Sequence, residues 1–297
     1  MDIETYNHIR SGGAGYIEMP RGLIAVWGKE AVQFLDGMIT NDMKTLEDGQ
    51  QMLAAFPNAQ GRLLAVVRVL RQGDRFLFET EEATREKLFQ NLFRFTFAGD
   101  FFVEDLSETC RFSQVWNFDI GTPESVLRFK DFQCTTWAIP NDEWRSFIYN
   151  IYDTGGIKLD NETWETLRIE SGIPLYGVDM DETTIVPELG LDGLISYNKG
   201  CYIGQEIIAR IYFRGHVAKR LTGLMSEPGA IATGFSAGAE LTTSEGKNAG
   251  RITSVTYSPK LDKTIALAYV RYDHLAEGTE LKVGESDAVV RNLPFVE

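Results

Sequence analysis

The chain has 297 residues, 43% of them apolar and 24% charged. That is a globular composition, too apolar for a disordered chain, and long enough for about two domains whose cores need no disulfide or metal staple. Its 29 basic and 43 acidic residues leave a net charge of −14, a field that draws in neither nucleic acid nor an anionic membrane. The longest apolar run, Ile265 to Val270, falls far short of the roughly 20 residues that span a bilayer. The first residues, Met-Asp-Ile-Glu-Thr-Tyr, carry no basic or Arg-rich segment and no apolar stretch, so neither a secretory nor a transit peptide is expected.

In chain order, Gly22 to Trp27 reads as a buried strand, and residues 29–39 place Val32, Leu35, Met38 and Ile39 at helical spacing. Arg62 to Leu70 and Arg75 to Thr80 read as two strands joined at Gln72-Gly73-Asp74, a hairpin signal. Thr80 is then placed to cap a helix with Glu81 and Glu82 in its first turn and Leu88, Leu92 and Phe95 on its apolar face. Residues 110–150 alternate between β-rich stretches and turns. A second helix is expected over 161–171, opened by Asp160 or Asn161 and closed by Gly172 and Pro174. After residue 220 the texture changes to short β-type runs (Arg220–Leu224, Ala249–Tyr257, Lys263–Val270, Thr279–Val283, Ala288–Arg291) separated by Gly, Pro, Asp and Ser. Such spacing suggests a small closed β-barrel or a sandwich. The expected architecture is α+β: a body over 1–219, in two lobes divided near 105, and a β-rich domain over 220–297.

Three cysteines, Cys110, Cys134 and Cys201, and three scattered histidines make neither a disulfide framework nor a dedicated metal site. A reducing cytoplasm is the default compartment, and monomer the default state.

The most informative stretch is Asn198 to Arg220, NKGCYIGQEIIARIYFRGHVAKR. It sets Lys199, Arg210, Arg214, Lys219 and Arg220 against one acid, Glu206. A basic patch on an acidic chain points to a local anionic ligand; on charge alone, residues paired with the surrounding acids are the favoured explanation. Cys201 lies between Gly200 and Gly204, just ahead of a predicted helix over 205–213 and two residues from Lys199. A thiol so placed would have its thiolate favoured; the bland alternative is a small buried hydrophobe. On the 161–171 helix, Trp164 and Arg168 are four apart and share a face with Leu167 and Ser171. An indole beside a guanidinium can stack a flat heteroaromatic ring, and the carboxylate of Glu170 can accept from an amino-pyrimidine edge. By spacing alone, Trp164 and Leu167 as plain core anchors with Arg168 solvated is the favoured reading.

The eight residues KGCYIGQE, Lys199 to Glu206, resemble the signature of the YgfZ-type folate-binding proteins, relatives of the glycine cleavage T-protein, the tetrahydrofolate-dependent aminomethyltransferase. RIESGIPLYGVDMDETTIVPELGL (Arg168–Leu191), VWGKEAVQFLDGMITNDMKTL (Val26–Leu46) with the Asn58-Ala59-Gln60-Gly61-Arg62 turn, and SVTYSPKLDKTIALAYV (Ser254–Val270) resemble blocks of the wider superfamily. The resemblance implies an aminomethyltransferase-type folate-binding body with a C-terminal barrel. It implies Trp164 as a folate contact, Arg168 and Glu170 as its neighbours, and an N-terminal contact near Arg21, where this sequence lacks the family's aromatic residue. Arg210 and Arg214 could bind the glutamate-tail carboxylates of tetrahydrofolate or a related reduced folate.

In the aminomethyltransferases, a Gly-Gly-x-x-Asp-Asp run supplies an aspartate to the folate nitrogen. The matching run here is Gly61-Arg62-Leu63-Leu64-Ala65-Val66, and both acid positions are apolar, Ala65 and Val66. Acid–base help of that kind is worth about 10²–10⁴-fold, so folate binding without aminomethyl transfer is expected, Asp42 being the candidate carboxylate that could restore it. The resemblance further implies an accessory role in the maturation or repair of iron–sulfur enzymes, some of them tRNA-modifying, with Cys201 as the working residue and Lys199 favouring its thiolate. One cysteine cannot hold a cluster that takes four ligands, so a second chain or a small thiol would supply the rest. The alternatives are a folate-dependent aminomethyltransferase or demethylase, and a module that docks tRNA or a tRNA-modifying enzyme through 199–220. Of the last two partners a protein is expected rather than RNA, because the chain lacks an exposed aromatic-plus-basic strand-binding motif.

Overall fold

The computed structural model describes residues 1–119, 123–131, 133–227 and 232–296. The chain forms two compact units, Met1–Asp160 with Asp192–Ile207, and Asn161–Leu191 with Ile208–Glu297.

The first unit begins with α1 (Ile3–Arg10), β1 (Gly15–Glu18), β2 (Arg21–Trp27) and α2 (Ala31–Asp36). It continues with β3 (Gln51–Pro57), β4 (Leu63–Gln72), β5 (Arg75–Glu81), α3 (Glu82–Phe93), β6 (Phe102–Asp105) and β7 (Cys110–Trp116), then β8 (Leu127–Lys130), β9 (Thr135–Pro140), α4 (Trp144–Asp153) and β10 (Ile157–Lys158). Two five-stranded sheets result, in the orders β3-β4-β5-β2-β6 and β10-β1-β7-β9-β8. Alternation along the strands gives each sheet two distinct faces. On the first sheet, Ala65, Val67 and Val69 of β4 join Ile24, Phe56 and Phe78 in a core closed by Leu88 and Leu92 of α3. On its other face, Leu23, Leu70 and Leu77 meet Phe112, Phe129 and Ala138 of the second sheet. Trp137 and Ile139 on the far side of that sheet pack with Phe147 and Ile151 of α4. The unit is therefore layered helix, sheet, sheet, helix.

The β4–β5 hairpin turns at Gly73, whose φ of +61° is the left-handed conformation that glycine adopts most freely. Two local expectations are corrected. The helix expected over 29–39 is only Ala31–Asp36; Gly37 follows it, and Met38 and Ile39 are buried in the succeeding turn. Thr80 does not cap α3. Its hydroxyl donates to Val66 O on the neighbouring strand (3.1 Å) and shares a hydrogen bond with the Thr84 side chain (2.7 Å) rather than with a backbone N–H of the first turn, and the residue before the helix is Glu81.

The second unit holds α5 (Asn161–Glu170), the C-terminal part of α6 (Gln205–Arg214) and the strands β11 (Lys219–Ser226), β12 (Glu240–Thr242), β13 (Asn248–Ser258), β14 (Lys263–Arg271), β15 (Glu280–Val283) and β16 (Ser286–Arg291). The strands close into a barrel in the order β11-β14-β13-β12-β15-β16, as the β-rich texture after residue 220 suggests; β12 is the strand the sequence does not announce. Small and branched residues alternate inward (Ala266, Ala268 and Val270 against Leu224, Ile252 and Val290), which fits the narrow interior of a six-stranded barrel. Ile169 of α5 packs on Leu221, Ile265 and Leu267.

Candidate functional site

The cysteine loop is built by its neighbours in the first unit. Lys199 is buried, and its ammonium donates to the carbonyls of Asp36 (2.6 Å), Ile39 (3.0 Å) and Asn41 (2.7 Å) while lying 3.1 Å from Asp36 Oδ1. A lysine has three N–H donors, so this set uses them all at the end of α2, where carbonyls lack helical partners. Burial pushes the Lys199 pKa below its ordinary value against the pull of Asp36. The Asp36 carboxyl would be raised by burial, but Lys44 at 2.9 Å and Lys199 outweigh that and hold it low. Lys199 thus has a partner set different from the one the sequence suggests, where it favours the Cys201 thiolate.

Two residues on, Cys201 is exposed. The loop is then pinned again: Ile203 N donates to Gly37 O (3.0 Å), and Gly204, at φ +80°, lies so close to the Asn58–Gly61 turn that a Cβ would fall 2.4 Å from Asn58 O. The other thiols differ. Burial pushes both Cys110 and Cys134 above the ordinary thiol value, Cys134 much the further.

A cavity of about 510 Å³ opens in the same unit, its wall including Met52, Leu53, Arg68, Lys130, Asp131 and Asp192. This volume lies within the range of small-molecule sites. Leu53 pairs with Arg68, and the next pair along the ladder on that face is Ala55 with Val66. Strand alternation therefore separates the two apolar replacements: Val66 shares the cavity face with Arg68, whereas Ala65 is fully buried in the core. Behind the wall, Glu79 is clamped between two guanidiniums. Arg68 Nη1 reaches Glu79 Oε2 at 2.9 Å, Arg21 Nε binds Oε1, and the other end of Arg68 binds Asp131. Arg21 is therefore held in a buried ion network. Asp42 caps the short turn over Met43–Thr45, accepting from Lys44 N at 3.0 Å.

The remaining sequence candidates lie in the second unit or on α6. Arg168 is neither solvated nor open to a ligand. It is 2% exposed and gives Nη1 to Asp179 Oδ2 (2.9 Å) and Ile173 O (3.1 Å), Nη2 to Ser254 Oγ (2.8 Å), and Nε to Glu165 (2.7 Å). Glu170 is fully buried: its carboxylate accepts from Ser258 Oγ, and its carbonyl accepts from Phe295 N at 2.8 Å. These two are anchors between α5, the barrel and the C-terminal segment, because the C-terminal end of α5, buried throughout from Thr166 to Glu170, packs among them, on β13 and β14. Trp164 is half-buried on α5, and Arg210 is exposed on α6. Arg214 ends that helix, and its side chain lies outside the described residues.

Asp36, Glu79, Asp131 and Asp179 are the residues that sequence reasoning passes over. Glu79 had a signal: a hairpin turning at 73–74 sets Arg68, a charge within an apolar strand, opposite it. Among the described residues no group of three or more His, Cys, Asp and Glu could hold a metal ion, and no helix is long and apolar enough to cross a membrane.

Residues 219–296 match the glycine cleavage T-protein C-terminal barrel domain. The chain is similar to the tRNA-modifying protein YgfZ of Escherichia coli O157:H7, 26% identical over 262 residues that cover 81% of this chain and 79% of that protein. It is also similar to the mitochondrial iron-sulfur cluster assembly factor IBA57 homolog of Mycosarcoma maydis, 27% identical over 224 residues, 69% of this chain and 55% of that protein. Its fold matches the crystal structure of glycine cleavage system aminomethyltransferase T from Bartonella henselae with a TM-score of 0.86 at 22% identity, over 99% of this chain and 89% of that one.

Proposed function

From a chain that is a YgfZ-type member of the glycine cleavage T-protein superfamily, we propose a reduced-folate-binding accessory protein of the cytoplasm. It serves iron–sulfur enzymes, tRNA-modifying ones among them, with the Cys201 thiol as its working group. The observation that carries this reading is the contrast among the thiols: Cys201 is exposed on a loop pinned at both ends, while burial disfavours the thiolates of Cys110 and Cys134. An exposed sulfur can ligate iron or exchange with a partner's thiol. Cluster iron is cargo here, and a partner chain or small thiol completes its ligand set.

Reduced folate fits the cavity of the first unit better than the α5 residues. The cavity has the volume of a ligand site, apolar walls at Met52 and Leu53, the exposed carboxylate of Asp192 to accept from N–H donors, and Lys130 to meet a carboxylate. Arg168 and Glu170 are engaged within their own unit. Val66, on the face of β4 that carries Arg68, stands where the resemblance puts an aminomethyltransferase acid, so that position offers no carboxylate for aminomethyl transfer.

The test pairs a cellular and a binding measurement. Cys201→Ser is expected to lose complementation of a deficient strain while binding tetrahydrofolate as wild type does, and Asp192→Asn to weaken folate binding several-fold. Full complementation by Cys201→Ser removes the thiol from the mechanism. The aminomethyltransferase reading, favoured by the fold, is tested with an aminomethylated lipoyl carrier and tetrahydrofolate; no product is expected, and product formation overturns the accessory reading.

A further inference from the structure

We infer that Lys199 is a positioning residue: its buried ammonium fixes where the Cys201 sulfur is presented and gives that sulfur no hydrogen bond. The inference rests on the reading of Cys201 as the working thiol. It stands on the count of donors. Three N–H bonds meet the carbonyls of Asp36, Ile39 and Asn41, with Asp36 Oδ1 alongside, so no N–H is left over for the sulfur. A buried ammonium is stable only when fully coordinated, and its acceptors come from a segment 158–163 residues away in sequence. Coordination therefore ties the loop to the end of α2 just before Cys201.

The second tie follows just after the sulfur. Ile203 N is held by Gly37 O, and Ile203 packs against the first sheet's core. Gly204 lies flush on the Asn58–Gly61 turn. Gly200 has open space around the position of a Cβ, so the stretch between the ties is the part of the loop that faces outward. An exposed side chain with both flanks anchored loses little further backbone freedom when a partner engages it, which favours binding.

The test uses full-length Cys110→Ser protein carrying a nitroxide on Cys201, Cys134 being buried. The parent protein should give a restricted line shape, and Lys199→Met should add a component moving on the nanosecond scale. Ser258→Ala, which removes the hydrogen bond to buried Glu170 in the other unit, should lower the melting temperature without changing the spectrum, separating positioning from general destabilisation. An unchanged line shape in folded Lys199→Met overturns the inference. Should that variant not fold, Lys199→Gln, whose shorter, uncharged side chain has only two N–H donors for the three carbonyls, takes its place; a mobile component supports the inference and an unchanged spectrum refutes it. Complementation by Cys201→Ser would instead sink the functional reading while leaving the spectral result intact.

Discussion

Arg68 and Glu79 stand directly opposite one another on β4 and β5, with Arg68 Nη1 2.9 Å from Glu79 Oε2. The carboxylate is fully buried and also binds Arg21, while the guanidinium reaches on to Asp131 at the cavity wall. One ion network thus supports the first sheet, the segment after β8 and the cavity between them.

This network predicts acid sensitivity. Burial raises the Glu79 carboxyl, but Arg21 and Arg68 outweigh it and hold the folded value below the ordinary 4.5. A depressed folded value means that the contribution is complete above the unfolded value and is lost as pH falls through the folded one. Urea midpoints should therefore decline below about pH 4.5, and Glu79→Gln should flatten that part of the slope. At pH 7 the same variant leaves two guanidiniums short of a partner and should cost about 3–5 kcal/mol.

The two apolar replacements should respond differently to a restored acid. Ala65→Asp buries an unpaired carboxylate in the core and should cost more than about 3 kcal/mol by urea denaturation. Val66→Asp, on the half-buried cavity face, should cost clearly less. Equal losses would contradict the assignment of faces.

Arg168→Met should destabilise the second unit by about 3–5 kcal/mol, because Asp179 is left buried without its cation. Tetrahydrofolate affinity in the variant that remains folded should stay close to wild type. A stable protein with sharply weakened folate binding would return Arg168 to the ligand site.

The glycines of the cysteine loop should also separate. Gly204→Ala forces a Cβ against Asn58 O at a left-handed φ and should cost about 1–3 kcal/mol. Gly200→Ala has open space and should leave the melting temperature almost unchanged.

Much of this architecture is legible from local pattern. The run Arg62–Leu70, the Gly73 turn and the β-texture after 220 gave β4, the hairpin and five of the six barrel strands, because strand alternation and turn chemistry depend on near neighbours. Thr80 and residues 29–39 misled for the same reason. Each satisfies a local helical rule, and each is claimed by a different contact, Val66 O on the neighbouring strand and the Thr84 side chain for the hydroxyl and the post-helical turn for Met38 and Ile39.

The sequence by itself determined the barrel, the hairpin, the position of the cysteine motif before α6 and the absence of an acid at 65 and 66. The tertiary structure alone decided what the charged residues do: Arg168 and Glu170 hold the barrel unit together, and Lys199 is turned toward the end of α2. The reason is that a buried charge takes its partners from whatever the fold brings within about 3 Å, and those partners lie up to 163 residues away in sequence. No spacing rule along the chain reaches that far.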